Sequence, residues 1–572
     1  MIERTCRVSG EKFIIAKEDL EFYAKMGVIT EDNLQDLISG KINDCSGLPT
    51  LCPDERQRRR MCWRNERTFY TRNCSGTGVS MISIYDKETS FPVYEQSYWW
   101  SDNWDAFDYG EDFDSSKSFF EQFGALMEVV PRKNLFQDTG SENSTYTNGA
   151  GYNKDCYLLV NGAHNEGTLY ARGTTGCVDS MELYFSDKCE LGYELIDCTN
   201  VFNVRYSESC RNCADSWFLK NCIGCNNCFG CVNLRNKQYY FLNKKLSKEN
   251  YEKELKKLNL SKYSSVAGLR DKFQKFVEQY PQRCLEIFFS ENCVGDFIQK
   301  SKNCYDCFEA TECEDVKYAD SVKFLKSSQD VLAFGYRAEL LYETVSMGRS
   351  NNVFAGLNGA HNFDAKFLFE CVNCNNCFGC VGLKHKQYCI LNKQYTKESY
   401  EELLPKIIAH MKQTGEWGEF FPANMSPFAY NETVAQEYYP LTKEEAEKKG
   451  YKWKDEPVNK KYETLKQSFD WSQIPDDIQE VKDDILMKVL FCERSGKPYQ
   501  IQKAELRFYR KMNLPIPHLH PDERHKDRMK LRNPRKLYER TCADCQKAIQ
   551  TTFAPERPEK ILCEDCYLKV VD

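Results

Sequence analysis

The sequence predicts a mixed α+β, multidomain chain in which two duplicated end modules flank two cysteine-rich parallel β-solenoid arrays with helical caps. Three observations predict it. Residues 6–26 and 492–512 are copies of one another, blocks 222–252 and 371–401 repeat at an offset of 149, and cysteines upstream of the first block recur at a step of 21. The segments that follow are an N-terminal module (1–117), a first array with an N-terminal cap (118–246), a helical cap and linker (247–283), a second array (284–395), a further cap and linker (396–485) and a C-terminal module (486–572).

The end modules are legible by direct comparison. CRVSGEKFIIAKEDLEFYAKM (6–26) stands against CERSGKPYQIQKAELRFYRKM (492–512), and PDERQRRRMCWRNERTFYTRNC (53–74) against PDERHKDRMKLRNPRKLYERTC (521–542). Each copy has room for two cysteine knuckles, one ligand pair early and one late. One set of four is intact: Cys542-x2-Cys545-x17-Cys563-x2-Cys566. Two chelating thiolate pairs suit the tetrahedral preference of Zn²⁺. The other three sets read Cys6, Ser9, Cys52, Glu55; then Cys74, Thr77, Tyr94, Ser97; then Cys492, Ser495, His520, Glu523. Cys6 with Cys52, and Cys492 with His520, are possible metal positions; the alternative is a knuckle held by packing alone. The last thirty or so residues resemble the treble-clef and zinc-ribbon superfamily. The whole chain resembles large cysteine-rich zinc-ribbon proteins of reduced-genome bacteria, a resemblance that implies no particular activity.

Each copy carries a basic helix opened by Pro-Asp-Glu, with proline suited to the first helical position and acids to the positive end of the dipole. Arg56, Arg60, Arg64 and Arg67 in the first copy match Arg524, Arg528, Arg532 and Arg535 in the second. Steps of four, four and three place them on one face. A guanidinium fork grips phosphate with two parallel hydrogen bonds, so the stripes are candidate nucleic-acid contacts. The competing expectation is that they pair with the chain's own carboxylates.

In the middle, Cys156, Cys177 and Cys198 share the step of 21, as do Cys189, Cys210 and Cys231. Stacked apolar positions at a fixed period are what a parallel β-solenoid requires. Cysteine is small and buries well. Asn and Gly suit corners of positive φ. The segments 118–130, 247–258 and 396–411 have helical patterns and stand where array ends need covering. The quartets Cys222/Cys225/Cys228/Cys231 and Cys371/Cys374/Cys377/Cys380 are either buried free thiols or ligands for zinc or an iron–sulfur cluster.

Composition bounds the rest. The 572 residues are 41% hydrophobic, and no stretch approaches a membrane span. MIERTCRVSGEKF lacks the apolar core of a secretory signal, so the expected location is cytoplasmic. Thirty cysteines in a reducing compartment favour metal ligands or buried thiols over disulfides. A net charge of −7 argues against binding nucleic acid over the whole surface. The usual nucleotide-binding, metalloprotease and hydrolase motifs are absent, so no catalytic residue is assigned. The leading expectation is a zinc-stabilised, non-enzymatic scaffold that binds nucleic acid, with RNA a candidate, through the arginine helices and protein partners through the array surfaces. A thiol or iron–sulfur redox protein built on the quartets, and a self-assembling structural protein, are the alternatives.

Overall fold

The computed structural model describes every residue except 42–44, 138–139, 334–335, 456–459 and 572. Among the described residues it mixes fourteen α-helices with many strands, most of them in one nine-stranded and one thirteen-stranded sheet. The chain divides into two compact units. One joins Met1–Leu135 to Leu285–Lys454 and Arg535–Leu537; the other joins Phe136–Cys284 to Asp455–Pro534 and Tyr538–Asp572. The N-terminal module therefore shares a unit with the later sheet, and the C-terminal module shares one with the earlier sheet.

In the second unit eight strands from Tyr157–Val160 to Gln238–Phe241 pair in chain order, all parallel. The partner of each residue lies twelve positions on: Met181 meets Tyr193, Tyr193 meets Arg205, and Asn226 meets Gln238. Bridges between the strands keep that step, as in Thr175 with Asp187 and Asp187 with Thr199. The layer is thus twelve residues deep and not the 21 that the cysteine spacing suggested.

The backbone supplies the reason. Every third residue from Asn143 to Leu242 has a positive φ, Asn161 (54°), Asn200 (55°) and Asn221 (52°) among them. The chain advances as triplets of two extended residues and one left-handed residue, and four triplets make a layer. The residue after each left-handed one faces inward, so Cys156, Cys177, Cys189, Leu195, Cys198, Cys210 and Leu219 fill the interior. A step of 21 is one layer plus three triplets. It carries a cysteine to the adjacent wall, not to the place above.

The first unit repeats the pattern from Phe297 to Ala333 and again from Arg337 to Leu391. The two runs differ in phase by one residue, and there Leu325 pairs with Ala338; farther on Asn351 pairs with Phe363 at the regular step. Within the first run, Lys302–Thr311, Glu314–Lys317, Leu325–Leu332 and Asp320–Lys323 close a parallel ring of four strands. His164 and His361 both occupy left-handed corners, with φ of 58° and 57°.

Left-handed backbone costs an ordinary residue roughly 1–2 kcal/mol, and Asn and Asp tolerate it best. Their side chains also bond along the ladder, as Asn200 Nδ2 to Asn212 Oδ1 at 2.7 Å and Asn203 Nδ2 to Asp215 Oδ1 at 2.7 Å. Asn212→Val is expected to cost about 1–2 kcal/mol by urea denaturation and Asn212→Gly much less. Equal losses would mean that the corner conformation is not what selects these residues.

Each ladder ends in an antiparallel return, Tyr240 with Lys245 and Cys389 with Gln394, followed by the helices Lys248–Lys257 and Lys397–Gln413. The helix Phe119–Val129, expected to cap the first array, packs instead on the second. Phe119 lies 5.0 Å from Phe367 and 5.1 Å from Phe378, ring to ring. The aromatic, acidic stretch before it closes the last layer of the same ladder: Asn392 Nδ2 donates to the Ala106 carbonyl at 3.0 Å, the Glu111 N–H to that of Leu391 at 3.1 Å, and Lys393 pairs with Asp112 at 2.6 Å. Polar edges that would otherwise invite strand addition are covered by these contacts. Lys443–Lys448 form a helix capped by Thr442 and Glu445, and Tyr451 and Trp453 pack beside Met61 and Cys62.

Candidate metal centre

Four β-hairpins share one turn: Ile2–Thr5 with Lys12–Ile15, Tyr70–Asn73 with Ser80–Ser83, Leu490–Phe491 with Pro498–Tyr499, and Tyr538–Thr541 with Ala548–Thr551. The N–H groups of Cys6, Cys74, Cys492 and Cys542 donate to the carbonyls of Glu11, Val79, Lys497 and Lys547 at 2.8–2.9 Å. Their own carbonyls accept from Gly10, Gly78, Gly496 and Gln546, whose φ values are 74°, 75°, 70° and 62°. Each cysteine sulfur also accepts a backbone N–H from the residue that opens a following helix. Glu95 donates to Cys74 Sγ at 3.4 Å and Cys563 to Cys542 Sγ at 3.3 Å; Cys52 and His520 do the same for Cys6 and Cys492. In the second hairpin that residue is Glu95, so the expected partners Tyr94 and Ser97 are one position early.

The last hairpin brings four cysteines together. The sulfurs of Cys542, Cys545, Cys563 and Cys566 all lie within 4.8 Å of one another, the only such group of three or more His, Cys, Asp or Glu side chains among the described residues. Cys545 Sγ and Cys563 Sγ are 3.7 Å apart. Tetrahedral Zn²⁺ with bonds of about 2.3 Å requires sulfur–sulfur edges of roughly 3.8 Å, so the donor set and its size fit a zinc ion. Burial opposes ionisation of Cys542, but the N–H groups of Cys563, Cys545 and Asp544 outweigh it and bring the thiol down to about 6. Cys566, beside the Asp544 carboxyl, is held above its ordinary value. Four thiols so close ionise together only when a cation balances them. Ile549, Ile561, Leu562, Tyr567 and Val571 pack around the cluster, and Ile561–Leu562 pairs in parallel with Gln282–Arg283.

At the remaining hairpins a hydroxyl stands where the second cysteine would be. Ser9, Thr77 and Ser495 each accept the N–H two residues on, at 3.3–3.4 Å. Burial raises Cys6, Cys74 and Cys492; the hydroxyl and backbone donors outweigh it and hold all three below the ordinary thiol value. His520 Nδ1 accepts the Asp522 N–H at 3.1 Å and so caps its own helix.

The two quartets are single layers in which all four walls are cysteine. Each thiol donates to ladder carbonyls: Cys222 to Lys220 and Cys231 at 3.5 Å, Cys225 to Leu234 at 3.5 Å, Cys228 to Asn226 at 3.4 Å, Cys231 to Phe229 at 3.4 Å. Cys371, Cys374, Cys377 and Cys380 repeat this with Cys380, Leu383, Asn375 and Phe378 at 3.3–3.4 Å. Serine does the same work elsewhere, Ser216 Oγ donating to Ala214 at 2.6 Å. A three-residue wall leaves inward carbonyls, and a small side chain with a donor satisfies them. Burial pushes Cys156 up to about 11 and Cys313 up to about 12.

The helices end at Met61 and Lys530, so Arg64, Arg67, Arg532 and Arg535 lie beyond the helical face expected to carry them, and most of the arginines are buried within the fold. Arg56 Nε is 3.0 Å from Asp330, Arg60 Nη1 is 2.9 Å from Asp330, and Arg59 bridges Glu343 (2.6 Å) and Glu419 (2.5 Å). Arg64 pairs with Glu66 and also donates to Ser346, while Arg67 is half-buried. In the second unit Arg524 lies 2.6 Å from Glu182 and 3.4 Å from Glu505, Arg528 also pairs with Glu182, and Arg532 reaches Asp197 at 2.9 and 3.2 Å. Arg535, which belongs to the first unit, pairs with Glu309 and Asp320. Carboxylates thus occupy at least seven of the eight guanidinium groups that were candidate phosphate contacts, Arg67 being the eighth. Glu182, Asp197, Glu309, Asp330 and Glu343 went unnoticed in the sequence. All five occupy left-handed corners. Other corners carry acids too, Asp179 and Glu312 among them, so nothing in the sequence singled these five out.

No known protein family matches the chain, and no curated protein does. Among solved structures the chain is similar to one described as a putative acetyltransferase from Desulfovibrio desulfuricans G20, at 9% identity over 48% of this chain and 81% of that one, with a TM-score of 0.10. A likeness at that level carries no argument about fold or activity. Among the described residues no helix is long and apolar enough to cross a membrane.

Proposed function

We propose that the protein is a zinc-stabilised, non-enzymatic scaffold. In this reading the two ladders are β-solenoids, the duplicated ends are zinc-ribbon or treble-clef modules, and the outer solenoid faces receive protein partners. One observation carries it: the groups that would do chemistry are engaged within the fold. Carboxylates of the ladders hold the arginines, and ladder carbonyls hold the thiols. The arginine helices then act as clamps that fasten each module to the ladder of its own unit.

Nucleic acid is the rival partner, and both readings meet in one experiment. Purified protein is mixed with RNA and DNA across a salt series, alongside Arg524→Gln and Arg528→Gln variants. The scaffold reading expects the wild type and any folded variant to behave alike. Salt-sensitive binding that a folded variant loses would overturn it in favour of phosphate recognition. Metal analysis of protein purified without oxygen is expected to find zinc and no iron; a brown, iron-bearing preparation would shift the quartets to redox work.

A further inference from the structure

The first hairpin keeps more of a metal site than its sequence suggests. Cys6 stands on the turn and Cys52 opens the helix Pro53–Met61, the positions that Cys542 and Cys563 hold in the intact cluster. The two thiols interact directly, and both are buried. Ser9 Oγ lies 3.7 Å from Cys52 Sγ, and the Glu11 carboxylate lies 4.0 Å from the same sulfur. The expected carboxylate, Glu55, is instead paired with Arg58 at 3.0 Å. Glu11 is pinned at the turn, its carbonyl accepting from Cys6 at 2.8 Å and its N–H donating to Ser9 Oγ at 3.3 Å.

We propose that this hairpin is a second, weaker divalent-cation site with Cys6 and Cys52 as thiolate ligands and Glu11 as the carboxylate ligand. A tetrahedral ion bound at about 2.3 Å to sulfur and 2.0–2.2 Å to oxygen needs donor–donor edges of roughly 3.5–3.8 Å. The separations of 3.7 and 4.0 Å from Cys52 approach that, while Cys6, Cys52 and Glu11 do not all lie within the 4.8 Å shared by the C-terminal sulfurs, so these ligands must draw together as the ion binds. Two thiolates and a carboxylate suit a borderline ion such as Zn²⁺ or Cd²⁺. The Ser9 hydroxyl, in the place of Cys545, leaves the fourth position to itself or to water, so this ion exchanges more readily than the one held by four sulfurs. The other two incomplete hairpins do not qualify: Cys74 faces no second thiol among its turn and helix-opening residues, and the His520 ring caps its helix.

The test is a Co²⁺ titration of the reduced full chain, stripped of metal and kept free of oxygen, read by sulfur-to-cobalt charge-transfer absorption. Two equivalents are expected, the weaker with the intensity of two thiolates and the tighter with that of four. Cys52→Ser is expected to delete the weaker equivalent alone and to melt as the wild type does, because serine is a favoured residue at a helix start. Glu11→Gln is expected to weaken it at least about tenfold. A single equivalent in the wild type, or a weaker equivalent that persists in Cys52→Ser, overturns the proposal. Failure of the C-terminal site would appear separately, as loss of the equivalent that does not depend on Cys52.

Discussion

Cys563→Ala is expected to cost the protein its tight zinc equivalent and to unfold Tyr538–Val571. The module's own apolar cluster is small, resting on Ile549, Ile561, Leu562, Tyr567 and Val571. Metal binding contributes about 10–16 kcal/mol to the folding of comparable small zinc modules. Little else would hold the hairpin against the helix Glu564–Val571. The loss should spread to residues 282–284, whose N–H groups reach Lys560 at 2.8 Å and Leu562 at 2.9 Å, while Thr551 Oγ1 donates to the Cys284 carbonyl at 2.8 Å. Hydrogen exchange reads this directly: the amides of Gln282, Cys284 and Tyr567 should lose protection together. A variant that keeps its zinc, or loses it with protection unchanged, would show that the four sulfurs are not a structural metal site.

Glu182→Gln is expected to destabilise the second unit by about 3–5 kcal/mol, because it leaves buried guanidinium charge without its counter-ion. Glu182 is wholly buried and serves both Arg524 and Arg528; only Glu505, 3.4 Å from Arg524, would remain. For a unit of this size that is a fall on the order of 10 °C in melting temperature. Glu343→Gln should do the same to the first unit, where Glu343 meets Arg59 and Arg60. Replacing Glu182, Arg524 and Arg528 together with apolar residues of similar volume should restore much of the loss, since a buried pair is dear to break and cheap to remove whole. A loss below about 1 kcal/mol for Glu182→Gln would mean that water reaches the cluster and that the arginines are not clamps.

The cysteine tetrad was legible in the sequence because a chelating pair is local. Cys542 and Cys545 lie on one turn, and Cys563 and Cys566 on the first turn of a helix, so spacing alone reports geometry. Parallel stacking with helical covers was legible for the same reason of repetition. The layer depth was not, because Cys156 and Cys177 lie on different walls and their spacing mixes the two steps. The destination of the arginines was hidden more deeply. Arg56 and Asp330 are 274 positions apart, and Arg524 and Glu182 farther still, so no local pattern joins them. The helix Phe119–Val129 was found, but nothing in its own residues says that Phe367 and Phe378, and not the adjoining ladder, will receive it.

The triplet step also governs which changes of length the chain can absorb. Losing one residue inside a ladder would turn every later cysteine into a corner and every later residue that precedes a corner into the interior, whereas gaining twelve adds a storey and leaves each wall as it was. The single slip between Ala333 and Arg337 is compensated because a fresh run of corners starts on the new phase and holds it to Leu391. Insertions and deletions tolerated in these regions should therefore come in whole storeys, or fall where one run of corners hands over to the next.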